Sequence, residues 1–342
     1  MLKEIALDDR TPGAADDQHV RSALRDGFFL VRNTVPESLL DEAYAMLGAF
    51  FELPAEAKAD CRVPGSNGQS GYLPPLVEQG EKGRAPDWKE LFHWGAPLPE
   101  AHPLRERYPA RYPQPYFPDH LVPGIGAALG ELHVRMAAFQ LDVVRRLAGA
   151  LGAAPGYFEE MLEDGPVVNR ATWYPPMEQA PSADHVWMVE HQDFDLITAL
   201  PRATAAGLEV LIDGEWTPVE APDGYTVLNV GMVLERLTGG RARAAVHRVV
   251  AAPGQSGGRL SIVQFCHPTP WTVLSTLRGA ATDGEPDRYP ALTAQDLFQR
   301  TMYRINRLDS QHTRHTRPSR HTKHAQHSQH AQHSQHAAAA RP

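Results

Sequence analysis

Met188-Val-Glu-His-Gln-Asp-Phe-Asp-Leu-Ile-Thr-Ala-Leu200 reads as strand carrying a His-Gln-Asp triplet. On a strand, residues i and i+2 share a face, so His191 and Asp193 can hold one ion while Gln192 turns away. A second histidine, His247, sits in Ala244-Ala-Val-His-Arg-Val-Val250, a short, apolar, β-branched segment that reads as another buried strand. Two neutral imidazoles and one carboxylate leave coordination positions open, which suits Fe(II) better than a closed structural metal. The chain has 17 histidines, so the triplet alone carries little weight and its neighbours decide the reading.

Those neighbours form an ordered series. Gly207-Leu-Glu-Val-Leu-Ile-Asp-Gly-Glu-Trp-Thr-Pro-Val219 reads as a hairpin turning at Asp213-Gly214. Tyr225-Thr-Val-Leu-Asn-Val-Gly231 follows, then Leu234-Glu-Arg-Leu-Thr-Gly-Gly240, the His247 strand and Arg259-Leu-Ser261. Upstream, Val167-Val-Asn-Arg-Ala-Thr-Trp-Tyr-Pro-Pro176 is a further strand. From about Asp17 to about Arg307, these segments in this order closely resemble the isopenicillin N synthase-like family of Fe(II)/2-oxoglutarate-dependent dioxygenases.

The resemblance implies a mostly β fold with flanking α, built on a double-stranded β-helix (jelly-roll, cupin-like) core. It implies Fe(II) held by His191, Asp193 and His247 as the catalytic centre, with 2-oxoglutarate as cosubstrate and O2 as oxidant. The far carboxylate of 2-oxoglutarate needs a fixed cation, and a guanidinium can pair with it bidentately, a role that Arg259 fits. Ser261 shares the face of Arg259 and can donate to the same carboxylate. By the same match Tyr174 offers its hydroxyl to 2-oxoglutarate, and Thr172 and Arg170 lie on its face. The expected product is a hydroxylated, desaturated or ring-closed small molecule, in specialised metabolism such as antibiotic or secondary metabolite biosynthesis, with release of succinate and CO2.

Candidate substrate contacts come from alternation and from the same likeness. Beyond Ser261, the inward positions are Val263, Phe265 and His267, and the last two fall where many family members touch substrate. Arg170 can act on an anionic ligand or form a salt bridge. Tyr72, in the turn-rich loop Ser66 to Pro75, can touch substrate or simply pack. One departure is Met232 after Gly231, where family members usually carry aspartate, for which a local packing change is expected. Another is the slightly long gap from His247 to Arg259, taken up by a flexible turn at Pro253 to Gly258.

A single oxygenase domain is expected over residues 1–308. Its N-terminal supporting part spans about 1–165, the metal-binding barrel core about 166–270 and a closing helix about 293–307, with Thr293 and Asp296 placed as an N-cap pair. A disordered, His-rich, low-complexity tail is expected over 309–342, with its eight histidines on a three-residue period. The net charge is −8, but the tail is basic and the body therefore more acidic still, which argues against nucleic acid as partner. Two distant cysteines, no leader and no membrane-length apolar run fit a cytoplasmic protein, monomeric or weakly homo-oligomeric, with no membrane partner. Competing readings are a family Fe(II) oxidase that does not use 2-oxoglutarate, a Zn(II) hydrolase on the same ligands, and a His-rich metal-binding buffer protein.

Overall fold

The structure is a computed structural model and describes residues 2–7, 13–78, 85–277 and 288–305. The tail expected over 309–342 lies outside the described residues.

The N-terminal part begins with β1 (Lys3–Glu4), α1 (Ala14–Asp26) and β2 (Phe28–Arg32). α1 stops at Gly27, whose φ of 82° is left-handed and whose added Cβ would lie 2.5 Å from the Arg243 carbonyl oxygen, so this turn requires glycine. α2 (Glu37–Phe51), α3 (Ala55–Ala59), β3 (Gly71–Leu73) and β4 (Glu90–Gly95) follow. Ser66 to Pro75 is thus not all loop, because Gly71, Tyr72 and Leu73 pair with His93, Phe92 and Leu91. α4 (Pro103–Arg107), α5 (Ile125–Leu151) and α6 (Tyr157–Leu162) complete the support.

The core comprises β5 (Val167–Tyr174), β6 (Met188–His191), β7 (Ile197–Leu200), β8 (Leu208–Ile212), β9 (Glu215–Pro218), β10 (Tyr225–Val230), α7 (Met232–Leu237), β11 (His247–Val249) and β12 (Arg259–Cys266). β13 (Val273–Leu274), β14 (Leu292–Thr293) and α8 (Ala294–Ile305) close the described chain. The N-cap pair forms as its spacing predicts: Asp296 N–H donates to Thr293 Oγ1 at 3.1 Å and Thr293 N–H to Asp296 Oδ2 at 3.1 Å.

One sheet has eight strands in the order β1-β2-β10-β7-β12-β5-β4-β3, and a second has four in the order β6-β11-β8-β9. The hairpin β8–β9 turns at Asp213 and Gly214, with φ of 51° and 88°, as the Asp-Gly pair dictates. Strand alternation sorts the large sheet into two faces. One face carries Phe29, Leu228, Ile197, Ala199, Ile262, Ala171, Phe92 and Tyr72 into the core shared with α2 and α5. There Gln140 of α5 donates to the carbonyls of Ile197 (3.1 Å) and Gln264 (3.0 Å), fixing helix to sheet where both would otherwise bury unpaired polar groups. The other face, with Phe28, Val227 and Tyr174, packs on Leu208, Val210 and Val249 of the small sheet, and the site lies between these layers.

Candidate metal and cosubstrate site

His191 is the last residue of β6 and His247 the first of β11, and the antiparallel register sets them directly opposite each other. Their rings lie 4.2 Å apart between centroids. Asp193 lies two residues past the end of β6, so the triplet straddles a strand end instead of lying within a strand. Gln192 turns away and its amide donates to the Ala244 carbonyl.

The three side chains each offer a ligand atom, and these atoms lie within 4.8 Å of one another. Nδ1 of His191 is 3.0 Å from the Val189 carbonyl oxygen and Nδ1 of His247 is 3.2 Å from that of Ala245. A carbonyl can only accept, so each Nδ1 donates, and this aims each Nε2 inward at Asp193. These Nε2 atoms stand 3.7 and 3.9 Å from the Asp193 carboxylate. Phe28 meets the His247 ring edge-on at 5.5 Å.

Asp193 is itself held. Its Oδ2 accepts from Thr198 Oγ1 at 2.6 Å and from Asn229 Nδ2 at 2.8 Å. Burial pushes this carboxyl up, but the two imidazoles and these two hydrogen bonds outweigh it, so it lies below the usual carboxylate range. Burial, with the neighbouring His247, drives His191 down to about 3 against the pull of Asp193. A neutral imidazole and an ionised carboxylate are the forms that bind a metal. Asp195 nearby is pushed well up by burial and by Asp193.

α7 pins the segment that carries these acids. Its opening amides, Met232 and Val233, donate to the carbonyls of Asp193 (2.8 Å) and Asp195 (3.0 Å), which occupies two of the amides that a helix start leaves unpaired. At Met232 it is thus the backbone amide that meets the ligand loop.

A cavity of about 280 Å³ runs from these residues to Arg259, Ser261 and Tyr174. The β12–β5 register pairs Arg259 with Tyr174 and Ser261 with Thr172, so all four reach the same end. Arg259 Nε donates to the Ala205 carbonyl at 3.0 Å and the guanidinium lies 5.3 Å from the Tyr174 ring centroid. Arg259 forms no ion pair with another described residue, although it is only 6% exposed. A buried, unpaired guanidinium beside a hydroxyl suits a carboxylate ligand.

An adjoining cavity of about 80 Å³ brings Phe265, His267, Arg170, His93, Glu78, Asp87 and Lys89 next to the triad. Phe265 and His267 both face this space. Arg170 forms the salt bridge that was one of its two readings: it pairs with Glu78 at 3.1 Å, donates to His93 at 2.7 Å and lies over Phe265 at 5.4 Å. Tyr72 is not brought to either cavity. Its register partner Phe92 faces the helices, so Tyr72 packs on Phe50 at 6.0 Å and donates to Glu90 at 2.6 Å.

Sequence reading passed over Thr198, Asn229 and the Lys89 cluster. The first two carried a signal: each is a lone polar residue in an apolar strand, Leu-Ile-Thr-Ala-Leu and Val-Leu-Asn-Val, and such a residue needs a partner when buried. Lys89 carried part of one, since Asp87 (2.8 Å) stands two residues before it, whereas Glu78 (3.0 Å) comes to it only through the fold.

Comparison with known proteins gives two family matches. Residues 163–268 match the 2OG-Fe(II) oxygenase superfamily, and residues 7–117 match the N-terminal region described as non-haem dioxygenase in morphine synthesis. Gibberellin 20 oxidase 2 of Oryza sativa is 32% identical over 282 residues, covering 80% of this chain and 67% of the relative. A 2-oxoglutarate-Fe(II) type oxidoreductase of Aspergillus fumigatus is 28% identical over 304 residues, covering 86% and 90%. Among solved structures, a 2OG-Fe(II) oxygenase family protein from Caulobacter crescentus superposes with a TM-score of 0.75 at 29% identity, covering 88% of this chain and 98% of that one. A full-length Neurospora crassa protein solved in complex with alpha-KG has the same fold, with a TM-score of 0.75 at 21% identity, covering 88% and 95%.

Proposed function

The chain belongs to the 2OG-Fe(II) oxygenase superfamily and oxidises a small molecule with Fe(II), 2-oxoglutarate and O2, and on that premise we propose the following roles for its residues. His191, Asp193 and His247 hold the iron. The observation that carries this reading is their arrangement: three ligand atoms within 4.8 Å, two imidazoles whose Nε2 atoms are aimed inward by Nδ1 contacts to backbone carbonyls, and a carboxylate braced by Thr198 and Asn229. The donor set, two imidazole nitrogens and a carboxylate oxygen, fits Fe(II) with positions left open.

Arg259 takes the far carboxylate of 2-oxoglutarate, Ser261 donates to it, and Tyr174, which lines the same cavity, offers its hydroxyl to 2-oxoglutarate. When bound, iron, 2-oxoglutarate and O2 together supply the oxidant that takes hydrogen from substrate, giving succinate and CO2 as coproducts. The residues here contribute position and exclusion of water. Leu200, Leu208, Val227 and Val249 line the cosubstrate cavity with hydrocarbon. Phe265 and His267 meet the substrate, whose oxidation is a hydroxylation, desaturation or ring closure.

The oxidase that dispenses with 2-oxoglutarate and the metal-buffer protein are both disfavoured by the family match, and a hydrolase would leave the unpaired Arg259 beside Ser261 without a task. We read the protein as cytoplasmic, monomeric or weakly associated, and without nucleic-acid or membrane partners. Among the described residues no helix is long and apolar enough to cross a membrane, and both cysteines are free and buried.

The test is anaerobic addition of Fe(II) and 2-oxoglutarate to the protein. A weak visible charge-transfer band is expected for the wild type and absent in His191→Ala, Asp193→Ala and His247→Ala. A wild type without the band, or a triad variant with full turnover, overturns the assignment.

A further inference from the structure

Four cationic side chains are buried among the described residues: Lys58, Lys89, Arg111 and Arg259. A buried charge needs a partner, and both lysines have one. Lys58 pairs with Glu90 at 2.6 Å, and Lys89 with Asp87 and Glu78. The two arginines have no carboxylate partner among the described residues. One is Arg259, assigned above to 2-oxoglutarate. The other, Arg111, has no task in that reading.

Arg111 is 5% exposed, and its Nε is buried without a hydrogen-bond partner. Its guanidinium stacks on the Phe298 ring, 4.2 Å from guanidinium carbon to centroid. A cation over a ring offsets only part of what burying an ion costs. Burial accordingly pulls the guanidinium down to about 10. Arg111 faces a cleft of about 140 Å³ whose two acids, Glu163 and Asp164, are exposed and form no ion pair with it.

This cleft adjoins the substrate side of the site. It shares Gln69 and Val168 with the cavity that holds Phe265 and His267. Phe298, under Arg111, packs on Phe194 at 6.0 Å, and Phe194, the residue after Asp193, packs on His267 at 5.4 Å. The β12–β5 ladder sets the direction: Arg259 opposes Tyr174 at one end and Phe265 opposes Val168 at the other. Six residue steps along the strand separate Arg259 from Phe265, roughly 20 Å at 3.3 to 3.4 Å per step. The two unpaired guanidiniums therefore stand toward opposite ends of one run of cavities, with the triad between.

We propose that the substrate is a carboxylic acid whose carboxylate pairs with Arg111 while its apolar body lies along Phe194 and Phe265 toward the triad. The proposal rests on the oxygenase reading of the site. Arg170 and Lys89 cannot serve this role, since Glu78 and Asp87 already compensate them. The exposed acids at the rim of the cleft favour a monoanion over a more highly charged phosphate.

The experiment is anaerobic calorimetric titration of the full chain loaded with Fe(II) and saturating 2-oxoglutarate. The probes are phenylacetate, 3-phenylpropanoate and 4-phenylbutanoate, each beside its amide. Saturating 2-oxoglutarate keeps the acids from Arg259. At least one acid should bind about 10-fold or more tightly than its amide, the range expected of a charge-assisted hydrogen bond. Arg111→Gln should remove that preference and leave amide binding as it was, and Arg111→Lys should retain a preference for the acid. The visible band with Fe(II) and 2-oxoglutarate is the fold control. If Arg111→Gln lacks it, Arg111→Met, with an apolar stem against Phe298, takes its place.

Acids binding no better than amides in the wild type, or an acid preference that survives loss of the guanidinium, overturns the proposal. The wild-type comparison needs no variant to fold. Absence of the band in the wild type is a different result and counts against the oxygenase reading itself.

Discussion

Asp193 illustrates how much of a metal site lies in residues that do not touch the metal. Thr198 and Asn229 both donate to its Oδ2, which leaves Oδ1 as the oxygen free to coordinate. Thr198→Val or Asn229→Leu removes one donor and frees the carboxylate to turn. Each should weaken Fe(II) binding by about 10- to 100-fold with the fold intact, as measured by iron titration against a chelator. Unaltered affinity in both would mean that the donors do not orient the ligand. At the other end of the cavity, Arg259→Leu should cost about 1.5 to 3 kcal/mol of 2-oxoglutarate binding, seen as a raised concentration for half-maximal formation of the visible band. Unchanged dependence on 2-oxoglutarate would revive the oxidase that does not use it.

At the scale of elements, the lead-in to β4 is joined electrostatically to β5 beneath the triad. Lys89 sits between Glu78 and Asp87, and Glu78 also reaches Arg170 of β5. Asp87 in turn accepts from the Val189 amide of β6 at 3.2 Å, so the cluster touches the strand that carries His191. Removing one member of a buried ion pair strands the other. Lys89→Met should therefore cost about 3 to 5 kcal/mol in chemical denaturation, far more than a surface lysine. A loss under about 1 kcal/mol would place this cluster with exposed pairs, which contribute little.

For the molecule as a whole, buried ionisable groups set the response to acid. Burial holds His93 down at about 3, helped by Arg170, and His133 down at about 4, both below the ordinary 6.5. The folded state then binds fewer protons than the unfolded chain across that interval. Stability is fully present above about pH 6.5 and falls as pH drops through 6 and 5. Glu78 adds to this at lower pH: burial raises it, but Arg170 and Lys89 bring it well below its ordinary 4.5. Urea midpoints of the metal-free protein should fall steadily from pH 7.5 to 5, and a flat or rising series would contradict the neutral, buried state of these histidines. The His-rich segment beyond Asp309 should matter differently. A chain ending at Asp309 is expected to keep its turnover per mole of bound iron and to lose weak, multi-site Ni(II) and Zn(II) binding, and loss of specific activity would show that the tail serves the site.

Local sequence determined those features whose cause lies within a few residues. The Asp213-Gly214 hairpin, the Thr293–Asp296 cap and the common face of Arg259 and Ser261 all follow from turn chemistry or from periodicity. The triad was legible for a further reason: His191 and Asp193 are two residues apart, and the order of segments resembled a known family. Only the tertiary structure decided what depends on residues distant in the chain. Tyr72 left the site because its partner strand faces the helices, not because of its own sequence. Lys89 acquired its second carboxylate, Glu78, and Arg111 its lack of one, from neighbours that local spacing does not encode. Period and turn chemistry are short-ranged, whereas desolvation and Coulomb partners are fixed by packing, and so the ligands could be read along the chain while the charges around them could not.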